Sequence, residues 1–215
     1  HLNCRAQQMC PRTLDGEGIW MQAVLSALPK AWCLDGERVV LDAAHGSGWR
    51  VGPDLLRRLG AEVVEIGTEP NGRNINEGVG ALHPEALAAR VREESATVGI
   101  ALDGDADRCV LVDSKGEIVD GDGLLLLLAQ PPGLVGTVMC NAALEGALSA
   151  RGIPMVRVGV GDRNVAVELK RRGWPVGGEP SGHVLFNDGL PTGDGLLTGL
   201  RVLVGGLDIA SRLSK

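Results

Sequence analysis

The sequence predicts an α/β protein with mixed, mostly parallel sheets. Short apolar runs alternate with segments whose apolar residues recur at helical spacing, and the links between them are brief. Of the 215 residues, 44% are apolar, enough to bury a substantial core. That core must be aliphatic, because the chain has four Trp, one Phe and no Tyr. Leu, Val, Ala and Ile packed between helices and parallel strands suit this composition.

The elements follow in order. Residues 1–13 are polar, carry two Cys and match no pattern, so they are left as an unassigned lead. Apolar positions 19, 20, 23, 24, 25 and 28 predict a helix from Gly16 to Leu28, stopped by Pro29. Arg38–Asp42 reads as a strand, Ala43–Gly48 as a tight turn, Val51–Leu59 as a helix stopped by Gly60, and Ala61–Ile66 as the next strand. Glu69–Asn76 is a polar turn segment, and His83–Glu94 a helix with Leu87 and Val91 on one face. Val98–Leu102 and Cys109–Val112 are strands, Asp113–Gly116 a hairpin-like turn, and Glu117–Asp120 its return. Asp120-Gly-Asp-Gly123 caps a helix over Leu124–Ala129. The pattern then restarts with a strand over Gly136–Cys140, a helix over Leu144–Ala150, a strand over Pro154–Val158 and a helix over Arg163–Arg172. Val176 leads into a glycine-rich loop, Val184–Phe186 leaves it, and Gly195–Gly205 is the last helix expected. The division falls near residue 116, giving units over 14–116 and 117–215.

Charge and cysteine usage narrow the function. A net charge of −6 without any basic run argues against nucleic acid. No stretch stays apolar for 18 residues, and Leu124–Ala129 is far too short to span a bilayer, so no membrane partner is expected. No signal peptide is visible at the start. The five cysteines, at 4, 10, 33, 109 and 140, form no CxxC pair. Cys109 and Cys140 lie in apolar runs and read as packed thiols, and His1, Cys4 and Cys10 fit no common zinc spacing. A reduced, cytoplasmic setting follows.

The chemistry concentrates in Ala101-Leu-Asp-Gly-Asp-Ala-Asp-Arg108. Asp103, Asp105 and Asp107 alternate in a loop between two strand-like runs, with Gly104 and Ala106 small enough for a tight fold. Three carboxylates so close call for a cation, and hard oxygen ligands favour Mg²⁺ over zinc or copper. Arg108 adds a fixed charge that suits a phosphate or balances excess carboxylate. An EF-hand needs Gly and Glu where Arg108 and Ser114 stand, which sets calcium aside. Two readings stay beside the metal loop: a phosphatase with Asp103 as nucleophile, and a solvated acidic turn.

A second constellation is Gly177-Gly-Glu-Pro-Ser-Gly-His183. Glu179, Ser181 and His183 alternate among glycines, a set that suits the hydroxyls or amine of a hexose; an ordinary glycine-rich turn is the alternative. Asp162 reads as a helix cap, and Arg163 as a contact to substrate or phosphate or as a solvated helix face. Gly46 and Gly48 precede Val51 where a third glycine would complete a dinucleotide fingerprint, so that fingerprint fails. His45 and Ser47 are read as structural.

The two loops, in this order, resemble the metal loop and the sugar-recognition loop of the α-D-phosphohexomutases. Glu69-Pro-Asn-Gly-Arg-Asn-Ile-Asn76 and Val160-Gly-Asp-Arg163 extend the likeness to about residues 34–213, toward the bacterial members that act on glucosamine phosphate. The resemblance implies two similar three-layer α/β/α units, the second and third domains of that family. It implies Mg²⁺ on Asp103, Asp105, Asp107 and one phosphoserine oxygen. Glu179 and Ser181 would hold the sugar's 3- and 4-hydroxyls, and His183 would support the loop or the phosphoryl site. Glucosamine 6-phosphate would become glucosamine 1-phosphate through a phosphoserine enzyme and a bisphosphate intermediate, feeding peptidoglycan precursors. A homodimer would form through domains absent here. Gly159 stands where many members carry a Lys, which leaves the acid–base group unassigned. No Thr-Ala-Ser-His-Asn-Pro-like string occurs, so the chain is expected to be a fragment, inactive alone. A non-catalytic hexosamine-phosphate binding module is the further alternative.

Overall fold

In the computed structural model, residues 15–190 and 192–214 are described. The lead over 1–13, with His1, Cys4 and Cys10, lies outside them. The first sheet is built from β1 (Arg38–Asp42), β2 (Glu62–Ile66), β3 (Val98–Leu102), β4 (Cys109–Asp113) and β5 (Ile118–Val119), in the order β2-β1-β3-β4-β5. β1 pairs in parallel with β2 and β3, while β4 and β5 run antiparallel. Both central strands, β3 and β4, are buried along their whole length, which is why they read as unbroken apolar runs. β2 lies at the edge and carries charge, its Glu62 paired with Arg38 at 2.8 Å.

Helices cover both faces. α3 (Pro84–Glu93) sets Leu87, Ala88 and Val91 against Val40, Ala101, Val110 and Val112. On the other face, α1 (Gly16–Ser26), α2 (Val51–Arg58) and α7 (Gly195–Val204) pack with Leu41, Ile100 and Leu111. A 3-10 turn, Ser47–Trp49, joins β1 to α2.

The second sheet contains β6 (Leu134–Thr137), β7 (Met155–Val158), β8 (Val176–Gly178) and β9 (Val184–Phe186), in the order β7-β6-β8-β9. Only β9 is antiparallel. α4 (Gly121–Leu128) and α5 (Ala142–Ala150) line one face through Leu125, Leu144 and Leu148. α6 (Asp162–Arg172) lines the other through Val165 and Leu169. α4 belongs to both cores, with Leu124 in the first and Leu125 in the second. Each sheet thus lies between helices, the mixed three-layer arrangement expected.

Some boundaries differ from expectation. β6 ends at Thr137, not at Cys140, because the Cys140 N–H turns back to the Thr137 carbonyl at 3.1 Å and frees Asn141 to cap α5. α4 starts at Gly121, with the Asp120 carboxylate accepting from the Gly123 N–H at 3.0 Å. Asp162 is the first residue of α6 and not its cap, a position held by Gly161. A short helix, α8 (Ile209–Leu213), was not expected. Its Arg212 guanidinium inserts among the Val202, Gly206 and Leu127 carbonyls, which five residues of local pattern do not announce.

Candidate functional site

The aspartate loop, residues 103–108, sits at the end of β3 where β1 also ends. Asp103 is 2% exposed. Its Oδ1 accepts from the Arg108 N–H at 3.1 Å and its Oδ2 from Arg108 Nε at 2.7 Å, so one arginine closes the loop with backbone and side chain together. Ala106 turns the chain with φ of +64°, a conformation that costs a non-glycine residue about 1 kcal/mol and persists only where surroundings enforce it.

Those surroundings are specific. The Ser47 N–H donates to the Gly104 carbonyl at 2.8 Å, and Gly46 lies so close that any Cβ there would strike the same carbonyl. The Gly195 N–H, at the start of α7, donates to the Ala106 carbonyl at 2.9 Å. Ile75 covers Gly104 from the polar segment over 69–76. Behind the loop, buried Asp42 accepts from the Ala44 and Gly80 N–H groups at 2.9 and 2.7 Å. Burial holds the Asp42 carboxyl above its ordinary range, an effect those two N–H donors partly offset. Sequence reasoning passed over Asp42, and only its position as the last residue of a buried strand hinted at it.

One ligand oxygen each from Asp103, Asp105 and Asp107 lies within 4.8 Å of the others. Two carboxylates at that separation repel by about 3 kcal/mol at an effective dielectric near 20, and by less where water reaches Asp105. Asp107 Oδ1 is buried without a hydrogen-bond partner among the described residues. Bonds of about 2.1 Å to an octahedral ion set ligand oxygens about 3.0 to 4.2 Å apart, so a small contraction would close the three oxygens around one. The donor set is all oxygen, three carboxylates and one orphaned lone pair, which fits a hard divalent cation and not a soft one.

The glycine-rich segment forms the β8–β9 turn. The Glu179 N–H donates to the His183 carbonyl at 3.0 Å, and the Gly182 N–H to the Glu179 carbonyl at 3.1 Å. Gly182 has φ of +89° and backs onto the Cys109 carbonyl, so this position accepts no side chain. Here the two loops meet. Arg108 and His183 form an antiparallel bridge, the Cys109 N–H donates to the Gly182 carbonyl at 3.2 Å, and His183 Nδ1 lies 3.1 Å from Asp107 Oδ2. His183 is 7% exposed, and this carboxylate orients its ring.

A cleft of about 340 Å³ opens at the junction, lined by Asp107, Arg108, Gly161, Asp162, Glu179, Ser181 and His183. The structure therefore brings Arg108, Glu179, Ser181 and His183 together with one member of the acidic trio. Arg163 does not line this cleft; it is exposed on the first turn of α6. Asp162 lines it instead. Sequence reasoning missed that role, although the Val160–Arg163 string pointed at the segment. A second cleft, of about 560 Å³, also borders the aspartate loop, against Glu17, Trp20, Ser47, Asp105 and Asp194. Ser47 faces it besides holding Gly104. His45 serves the fold, its Nδ1 accepting from the Glu69 N–H at 3.1 Å.

Comparison with known proteins gives this geometry a context. Residues 21–116 match the family described as phosphoglucomutase/phosphomannomutase, alpha/beta/alpha domain II, and residues 120–205 match domain III of the same family. The phosphoglucosamine mutase of Delftia acidovorans is 49% identical over 200 residues, 89% of this chain and 45% of that protein. That of Rhodopseudomonas palustris is 48% identical over 202 residues, again 89% and 45%. The chain thus spans somewhat less than half the length of these relatives. Among solved structures, a phosphoglucomutase/phosphomannomutase family protein from Burkholderia thailandensis superposes with a TM-score of 0.77 at 29% identity, over 92% of this chain and 46% of that one. The Aspergillus fumigatus N-acetylphosphoglucosamine mutase, solved in complex with GlcNAc-6P and magnesium, shares the fold with a TM-score of 0.61 at 18% identity, over 86% and 45%. The chain belongs to the phosphoglucomutase/phosphomannomutase family, of which it carries the second and third α/β/α domains.

Proposed function

We propose that this chain forms the metal-binding and sugar-binding middle of a phosphoglucosamine mutase, which interconverts glucosamine 6-phosphate and glucosamine 1-phosphate. One observation carries the reading: the aspartate loop and the glycine-rich turn share a backbone bridge at Arg108 and His183 and open into one cleft. We divide the chain into a metal-loop unit over 14–116 and a sugar-recognition unit over 117–215. Relatives near half identity are named for this activity. The three cysteines described are free thiols, in keeping with a reducing cytoplasm, and none of the described helices is long and apolar enough to cross a membrane.

Asp103, Asp105 and Asp107 would hold Mg²⁺, as their oxygen-only donor set and the orphaned Asp107 oxygen favour. Bound there, the ion supplies electrostatic stabilisation of a phosphoryl group in transfer. Arg108, held against Asp103 through its Nε, would offer its remaining N–H groups to a phosphate in the cleft. Glu179 and Ser181 accept and donate hydrogen bonds to sugar hydroxyls. His183, held by Asp107, couples the sugar's position to that of the metal loop. Arg163, on the adjacent helix turn, receives a phosphate approaching from solvent. The phosphoryl-donating serine is not among these 215 residues, so the chain alone binds without turnover. A phosphatase using Asp103 as nucleophile is disfavoured, because both its oxygens accept hydrogen bonds from Arg108 and it is 2% exposed.

Calorimetry with MgCl₂ tests the metal assignment: Asp105→Asn should weaken Mg²⁺ binding about tenfold, the loss of one charged ligand. Equal affinity in both proteins refutes it. Mutase turnover by the 215-residue chain alone would refute the division of labour.

A further inference from the structure

We propose that Asp162 reads the 2-amino group of the sugar, binding it as an ammonium and so setting preference for a hexosamine phosphate over a plain hexose phosphate. This rests on the sugar-phosphate reading of the cleft and deepens it.

The first argument is position. Asp162 lines the cleft facing Asp107, Arg108, Glu179, Ser181 and His183. Its segment is held firmly. Asn164 Nδ2 donates to the Val160 and Gly159 carbonyls at 2.9 and 3.3 Å. The Gly161 N–H donates to Glu179 Oε1 at 2.9 Å, tying this turn to the sugar-facing carboxylate. Gly161 takes φ of +120°, a backbone state that L side chains rarely adopt, and both it and Asp162 line the opening.

The second argument is charge. Arg108 is engaged by Asp103 at 2.7 Å and by Asp107 at 3.6 Å. Glu179 is half satisfied by Gly161. Asp162 accepts through Oδ1 from the Arg163 N–H at 2.6 Å, and its other oxygen has no hydrogen-bond partner among the described residues. Apart from the Mg²⁺ that the aspartate loop would hold, a ligand carrying phosphate enters a cleft in which Asp162 and Glu179 have no ion-pair partner among the described residues. A hexose phosphate adds only negative charge there. A hexosamine phosphate brings one ammonium with three donors, enough for Asp162 and Glu179 together. The N-terminus of α6 would otherwise favour an anion, yet Asp162 there presents a carboxylate, which leaves the phosphate to the arginines, Arg108 and Arg163. Two residues that line this cleft each hold a buried polar atom without a hydrogen-bond partner among the described residues, His183 Nε2 and Asp107 Oδ1.

Calorimetry on the whole chain with Mg²⁺ decides it, using glucosamine 6-phosphate, glucose 6-phosphate and N-acetylglucosamine 6-phosphate. Wild type should prefer the amine over glucose 6-phosphate by about tenfold, the scale of one charge-assisted hydrogen bond in an open cleft. Asp162→Asn should erase that preference and leave glucose 6-phosphate and the N-acetyl sugar within about twofold, while Asp162→Glu should retain part of it. Asp162 is exposed, so its variants should keep the wild-type thermal midpoint. If Asp162→Asn weakens all three sugars alike, or none, the inference is wrong while the cleft's sugar-phosphate role survives. If wild type binds no sugar phosphate at all, both readings fall together.

Discussion

Replacing Gly182 by Ala should separate the two loops. The structure lets the magnitude be worked from parts. Gly182 has φ of +89°, which costs an L side chain about 1–2 kcal/mol. Its new Cβ would lie closer than 3.0 Å to the Cys109 carbonyl, a backbone atom in a buried strand with little room to yield. Relief requires the turn to shift on the order of 1 Å, which lengthens the Cys109–Gly182 hydrogen bond, itself worth about 1 kcal/mol. The sum is about 2–4 kcal/mol. Two controls isolate the terms. Gly173→Ala also meets φ of +67° but has nothing within 4 Å, so it should cost only about 1 kcal/mol. Gly146→Ala, inside α5 with open space around it, should stabilise by about 0.5–1 kcal/mol. Urea unfolding followed by circular dichroism measures all three. Should Gly182→Ala cost no more than Gly173→Ala, the bridge is not the junction described here.

Two further predictions concern pH. Asp42 has a folded-state pKa raised above 3.8, chiefly by burial, so it lowers stability as pH climbs from 3.8 through that value. Asp42→Asn loses an acceptor and should be less stable at neutral pH, but the gap to wild type should widen toward acid; urea midpoints from about pH 3.5 to 7 would show it, and a constant gap would refute it. Glu168 is held down to about 2 from 4.5 by hydrogen bonds from Arg171 and Arg172. Its contribution is present above 4.5 and fades as pH falls toward 2, so Glu168→Gln should be less stable than wild type at neutral pH and converge with it in acid, by a small amount because water screens the pair.

Much of the chain was legible because its signals are local. β3 and β4 lie where unbroken apolar runs placed them, and the aspartate loop falls between them. Asp120 caps a helix as its spacing suggested. What escaped depended on contacts distant in sequence. Nothing near Asp42 announces that Gly80 will donate to it. Asp162 looked like a cap because Asp often is one, yet the preceding glycine holds that place and Asp162 lines the cleft. The apolar face of α7 was evident, but a periodicity does not say which sheet it will cover.

That last packing bears on how the molecule is made. Leu196, Leu200 and Leu203 complete the same core as Leu41, Ile100 and Leu111, and Trp20 Nε1 reaches Asp194 at 2.6 Å. During synthesis the opening strands must wait, with an apolar surface uncovered, until the ribosome has delivered the helix that roofs them. Such late closure over long loops makes for slow maturation and for dependence on chaperones while the nascent chain is unfinished.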